Sequence, residues 1–137
     1  RGDAVTEPLR DASIGVILCC RDEERVISRR LRNLARTQWP PSTRGHRIVV
    51  VDDGSTDGTA RAALECDATF PPGVRVECIA NTQRAGKAGA IQSGLRRLDG
   101  CVDVVVLTDA DVVHEPDAIA VGRSDAGALL TAMLQRV

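Results

Sequence analysis

The chain has 137 residues, 43% of them hydrophobic and 27% charged, with a formal net charge of −1; this suits one globular domain and excludes the strongly basic surface that nucleic acid or an anionic membrane would require. Trp39 and Phe70 are the only aromatic residues, so there is no platform for stacked bases and nucleic acid is not expected as a partner. Cys19, Cys20, Cys66, Cys78 and Cys101 form no Cys-x-x-Cys pair and only two histidines accompany them, which signals neither a zinc site nor a disulfide framework and points to a reducing compartment.

Residues 1–13 lack the apolar core of a signal peptide and read as an N-terminal extension, with a single domain over 14–137. Ser13 to Cys20 is the first expected strand. A helix follows from about Asp22 to Thr37 with Ile27, Leu31 and Leu34 on one face. Acidic Asp22, Glu23 and Glu24 open it and Arg29, Arg30, Arg32 and Arg36 follow, in line with the helix dipole; Trp39-Pro40-Pro41 stops it. The run Arg47 to Val51 reads as a second strand that ends in Asp52-Asp53-Gly54-Ser55. Thr59 to Cys66 then reads as a helix capped by Thr56 or Asp57.

Pro71-Pro72-Gly73 breaks the chain before a third strand, Val74 to Ala80. The next helix spans Lys87 to Leu98, with Ala88, Ile91, Leu95 and Leu98 expected on one face. A fourth strand, Val102 to Thr108, ends in Asp109-Ala110-Asp111. Pro116 suits the first turn of a helix running through Ile119, and Ser124 the cap of a last helix ending near Leu134. Alternating strands and helices imply a mostly parallel sheet with helices on both faces. Open α/β sheets hold ligands at the carboxyl ends of their strands, so both acidic clusters fall on one rim.

Each cluster has a plainer rival. An isolated Asp-x-Asp after a strand usually caps a turn, although two carboxylates there also suit a hard divalent cation bridged to phosphate. Asp53, Ser55, Asp57 and Gly58 match the opening of a calcium-binding helical hairpin loop, but Leu64 stands where a bidentate glutamate is needed and a strand precedes the loop. Gly86-Lys87-Ala88-Gly89 lacks the earlier glycine and the Ser or Thr of a P-loop; what remains is a helix start beside the chain's single lysine, where phosphate could accept backbone N–H bonds. Cys19 and Cys20 read as the end of a buried strand rather than nucleophiles, and His114 as a helix-start residue more than a metal ligand.

Taken in order, these segments resemble the donor-binding half of family 2 glycosyltransferases. Ile17-Leu18-Cys19-Cys20-Arg21-Asp22-Glu23-Glu24 is similar to the family's first strand and Arg-Asn-Glu-Glu turn, with Asp22 in place of asparagine. Val50-Val51-Asp52-Asp53-Gly54-Ser55-Thr56-Asp57-Gly58-Thr59 is similar to its most recognisable stretch. Gly86-Lys87-Ala88-Gly89-Ala90-Ile91-Gln92-Ser93-Gly94-Leu95 is similar to its Gly-Lys-Ala-Gly-Ala-Leu-Asn segment, and Thr108-Asp109-Ala110-Asp111 to its Asp-x-Asp motif. The resemblance runs from about Ile14 to Ala120 and fades after it.

The resemblance implies a Rossmann-like GT-A fold, here partial, and transfer of a sugar from a nucleotide-diphosphate sugar, expected to be a UDP-sugar, to an acceptor hydroxyl with inversion. By the same resemblance Asp53 would accept a hydrogen bond from the base, with Asp52 beside it and the turn Cys20, Arg21 to Glu24 lining the pocket. Asp109 would contact ribose and metal, Asp111 would coordinate Mg²⁺ or Mn²⁺, and Lys87 would lie near the diphosphate or donor sugar. The carboxylate base of the family lies beyond the Asp-x-Asp strand. Glu115, Asp117 and Asp125 sit too near that motif to match it, and the family's later Gln-x-x-Arg-Trp motif has no counterpart.

The expectation is therefore a donor-site module of a longer enzyme, unable to turn over alone. A non-catalytic nucleotide-sugar-binding module is the alternative. A sugar nucleotidyltransferase ranks lower because Arg21-Asp22-Glu23-Glu24 lacks a glycine-rich phosphate loop, and an oxidoreductase lacks Gly-x-Gly-x-x-Gly after the first strand. A lipid, polysaccharide or protein acceptor stays open. The expected location is cytoplasmic, with membrane contact only through other parts of a longer chain.

Overall fold

The computed structural model of the chain describes residues 11–109 and 131–134. In chain order the elements are β1 (Ile14–Cys20), α1 (Glu24–Ala35), β2 (His46–Asp52), α2 (Thr59–Glu65) continued by a 3₁₀ turn (Cys66–Thr69), β3 (Val74–Ala80), α3 (Lys87–Leu98), β4 (Val104–Asp109) and β5 (Thr131–Leu134). The strands form one sheet in the order β3-β2-β1-β4-β5. β1 runs parallel to β2 and β4, and β2 parallel to β3.

Runs of β-branched residues make these strands, because their branched side chains fit a pleated surface covered on both sides. One face of the sheet, with Ile14, Val16, Leu18, Ile48 and Val50, packs on Ile27, Leu31 and Leu34 of α1 and Ala63 of α2. The other face, with Ile17, Val49, Val51 and Val105, packs on Ala90 and Leu98 of α3. No helix among the described residues is long and apolar enough to cross a membrane.

Three expectations need correction. The last helix does not reach Leu134, because residues 131–134 form a strand antiparallel to β4. Ala, Leu and Met favour a helix by local propensity, but the outer edge of β4 carries backbone donors and acceptors that a strand pairs directly. The Pro116 helix, Ser124, His114 and Asp111 lie outside the described residues.

The buried face of α3 is also different: Gly89, Ala90, Ser93, Gly94 and Leu98 are buried, while Ala88 is exposed and Ile91 and Leu95 are half-buried. Close approach selects small residues here, since a Cβ on Gly94 would lie 2.8 Å from Ile17 Cγ2. Finally, α1 ends at Ala35, ahead of the expected stop. The Thr37 hydroxyl and the Trp39 indole N–H both donate to the Leu34 carbonyl, at 2.7 and 3.3 Å, and consume the acceptor of the last turn.

At the amino-terminal end of the strands His46 locks β1 to the Pro40 loop. Its Nδ1 accepts the Ile14 N–H at 3.0 Å, which fixes the proton on Nε2 and makes that nitrogen donate to the Pro40 carbonyl at 2.6 Å. Burial lowers the His46 pKa below 6.5, against the opposing effect of the Pro40 carbonyl.

Two predictions follow from this packing. Gly94→Val is expected to cost about 1–3 kcal/mol, as overpacking against a buried side chain does, and urea unfolding with an unchanged m-value checks it. Because His46 is harder to protonate folded than unfolded, its contribution is intact above the unfolded pKa and is lost as pH falls through 6.5. The drop in the urea midpoint between about pH 7.5 and 5.5 is expected to shrink in His46→Gln; an equal drop in both proteins would refute it.

Candidate functional site

The sheet order reverses at β1, with β2 and β3 to one side and β4 to the other, and a crevice opens at such a switch point beyond the strand ends. Register places Asp52 and Asp109 there, for Cys20 lies opposite Asp52 and Cys19 opposite Asp109. A cavity of about 250 Å³ opens at this rim, lined by Cys19, Cys20, Arg21, Glu23, Asp53, Lys87 and Ala90. A larger groove of about 720 Å³ is lined by Trp39, Phe70 and the proline pairs Pro40-Pro41 and Pro71-Pro72. Its one titratable lining residue, His46, has both ring nitrogens engaged.

The turn after β1 and the loop after β2 clasp each other. Asp22, at φ +51°, accepts the Thr56 N–H on Oδ1 at 2.7 Å, and its own N–H donates to Ser55 Oγ at 2.8 Å. Glu24 Oε1 accepts the Gly58 N–H at 3.0 Å, while the Glu24 N–H donates to Asp57 Oδ2 at 3.3 Å. Asp57 Oδ1 accepts from both the N–H and the hydroxyl of Thr59. The Thr59 hydroxyl in turn accepts the Glu23 N–H at 2.9 Å. These bonds, the Thr59 hydroxyl first, hold the Asp57 carboxyl below the usual range. Of the oxygens that suggested a calcium loop, those of Ser55 and Asp57 are engaged within these two turns, and no group of three or more His, Cys, Asp or Glu converges as a metal site among the described residues.

Asp52 and Asp53 divide their work. Asp52 Oδ1 accepts the Ser55 N–H at 2.9 Å and tightens the turn. Asp53 reaches the other way: Oδ1 accepts from Asn81 Nδ2 at 2.8 Å and Oδ2 from the Gly86 N–H at 3.0 Å. Its own N–H donates to the Cys20 carbonyl at 2.9 Å. The Asn81 amide above all, then the Gly86 N–H and the Arg21 charge, lower the Asp53 pKa below the ordinary carboxylate value, against the opposing effect of desolvation. Burial drives the Cys20 thiol far above its ordinary value, helped by Cys78 and Asp52, and pushes Cys78 up to about 11. Neither is a thiolate, and neither serves as a nucleophile.

Of the expected site residues, Cys20, Arg21, Asp53 and Lys87 line one cavity. Asp52 and Glu24 stand behind it and shape its two loops. Asp109 is placed at the carboxyl end of β4; its side chain and Asp111 lie outside the described residues. Glu23, within the turn expected to line the pocket, does so. Sequence reasoning missed Cys19, which joins the lining, and Asn81, which with Ser93 holds the loop before α3. No motif marks Asn81.

A mostly parallel sheet in this strand order, with acidic loops at the switch point, is the architecture of the GT-A class. The profile of Glycosyl transferase family 2 matches residues 15–122, and the chain belongs to that family. It is 38% identical over 74 residues to a dolichol-phosphate mannosyltransferase of Pyrococcus furiosus, a match covering 54% of this chain and 19% of that protein. A UDP-N-acetylglucosamine–dolichyl-phosphate N-acetylglucosaminyltransferase of Methanococcus voltae is 29% identical over 122 residues, covering 82% of this chain and 46% of the relative. Among solved structures, a mannosyltransferase from Pyrobaculum calidifontis in complex with GDP-Man and Mn²⁺ superposes with a TM-score of 0.67 at 31% identity, over 81% of this chain and 31% of that one. The chain therefore spans less than half the length of these relatives.

The loop before α3 is pressed hard against the helix. A Cβ on Gly89 would stand 1.7 Å from the Arg84 carbonyl oxygen, so Gly89→Ala must displace backbone. Its expected cost is about 3 kcal/mol, at the upper end for overpacking, with faster amide exchange at Gly86 and Lys87. A variant as stable as the parent protein would contradict this packing.

Proposed function

We propose that this chain forms the donor-binding part of an inverting glycosyltransferase that takes a nucleotide-diphosphate sugar, with a UDP-sugar as donor and Mg²⁺ or Mn²⁺ held by Asp109 and Asp111. The observation that carries this reading is the single cavity at the strand switch point that joins Arg21, Asp53 and Lys87. An anionic acceptor of hydrogen bonds stands beside two cations there, which suits a ligand with a base at one end and a diphosphate at the other. The GDP-Man in the Pyrobaculum calidifontis mannosyltransferase structure makes a GDP-sugar the rival donor.

Carboxylate oxygens at a strand end are the donor set that hard divalent cations prefer. Asp109 ends β4 directly opposite Cys19, a residue of the cavity lining, which supports placing the cation at the same rim. When bound, the cation offsets the charge that gathers on a departing nucleoside diphosphate. Lys87 adds a point charge from the helix start, where the α3 dipole also favours an anion. Asp53, kept ionised by Asn81 and Gly86, is the acceptor for an N–H on the base. Deprotonation of the acceptor hydroxyl is assigned to no described residue, and the acceptor falls to a lipid, polysaccharide or protein surface outside this donor half.

Calorimetric titration of UDP and GDP, with and without Mn²⁺, tests the reading. Metal-dependent binding of one of them is expected, weakened about tenfold or more in Asp111→Ala, the equivalent of about 1.4 kcal/mol. Binding that ignores both metal and mutation would sink the metal assignment. No binding of either nucleotide by a sample with a folded far-UV circular dichroism spectrum would sink the donor site.

A further inference from the structure

The side-chain amide of Asn81 is saturated. Its Nδ2 donates to Asp53 Oδ1 at 2.8 Å and to the Arg84 carbonyl at 3.0 Å. Its Oδ1 accepts the Gln83 N–H at 2.9 Å and the Ser93 hydroxyl at 2.7 Å. Two donors and two acceptor sites are all that an amide offers. The Gln83 N–H can only meet the oxygen, which fixes the orientation of the group.

The neighbours close the circuit. The Ser93 hydroxyl accepts the Thr82 N–H at 3.1 Å, and Ser93 is itself buried in α3 at 3% exposure. The Asn81 N–H donates to the Asp52 carbonyl at 2.9 Å, so one end of the loop is an extension of the β2–β3 ladder. The other end is Gly86, at φ +108°, whose N–H donates to Asp53 Oδ2. Lys87 is the next residue and lines the cavity.

We infer that Asn81 is the positioning residue of the donor site, a latch that ties the 81–86 loop to Asp53 and α3 and thereby sets where Lys87 meets the diphosphate of the donor. The inference rests on the donor-site reading above. Asn81 touches no cavity surface itself and acts through Asp53 and Gly86. Replacing its amide by a carboxylate of the same shape turns two attractions into repulsions, because Asp53 and the Arg84 carbonyl would each face an acceptor with no proton to share. Asp53 stays anchored by its own N–H on the Cys20 carbonyl, so the base end of the pocket survives while Gly86 and the lysine end move.

The test uses the 137-residue chain and compares UDP and GDP, with Mg²⁺, against uridine and guanosine in NMR titrations of Asn81→Asp, Ser93→Ala, Lys87→Ala and the Asn81→Asp/Lys87→Ala pair. Asn81→Asp is expected to weaken the diphosphate about tenfold or more, consistent with hydrogen bonds to charged groups. The matching nucleoside should change less than about twofold, and the pair should be no weaker than Lys87→Ala alone. Ser93→Ala leaves both amide donors in place and should fall between, which keeps the test open if Asn81→Asp does not fold. Equal losses for nucleoside and diphosphate, or additive losses in the pair, would overturn the latch as a positioning device.

Failure of the donor-site reading is seen separately, as a parent protein that binds neither UDP nor GDP. In that event amide exchange at Gly86 still decides the latch: faster in Asn81→Asp supports it and unchanged overturns it.

Discussion

Ile17, Leu18, Val49, Val50 and Val51 are each at most 1% exposed, so β1 and β2 have no polar face. Strands buried on both sides need helices on both sides, and α1 with α2 on one face and α3 on the other supply them. The same burial expels every charge from the body of the central strands, since an unpaired ion there would cost several kcal/mol. Charged side chains are left with the strand ends. The chemistry of the protein gathers at one rim because the core admits it nowhere else.

At that rim the carboxylates meet backbone N–H groups. Asp22, Glu24, Asp53 and Asp57 each accept from the main chain of a neighbouring loop, and Asp52 from its own turn. Such bonds are shorter and stronger than neutral ones, and they join the connections after β1, β2 and β3 into a collar around the cavity. The Asn81 amide at Asp53 and the Thr59 hydroxyl at Asp57, with these backbone bonds, favour the ionised carboxylates, so the site holds its acceptors in the form that binds donors. Side-chain cations would have neutralised these loops; backbone N–H groups order them without removing their charge.

The parts of this arrangement that could be read from sequence are those set by local rules. Strand β3 and helix α3 begin and end where expected, because Pro71-Pro72-Gly73 and Gly86 interrupt the backbone whatever the fold around them. The motif order around Asp53, Lys87 and Asp109 was legible through the family resemblance, which the match over residues 15–122 bears out. Three features were not. The buried face of α3 follows size rather than apolarity: Ala88 is apolar and exposed while Ser93 and Gly94 are buried. Strand β5 answers to the unpaired edge of β4, a partner far away in sequence. Asn81 looks like any loop asparagine until the fold brings Asp53 and Ser93 to it across 28 and 12 residues.

Asp53 shows why a carboxylate rather than an amide occupies the centre of the site. An ionised carboxylate has about four acceptor positions on two oxygens. The Asn81 amide and the Gly86 N–H occupy one on each oxygen, and the position that remains on each is what the proposed base contact requires. An asparagine in its place would present one oxygen and an NH₂ group. That NH₂ would face either the Asn81 amide donor or the Gly86 N–H, and the loop or the base would lose its partner. Holding a loop and receiving a base therefore ask for the same group, one that accepts in every direction and donates in none.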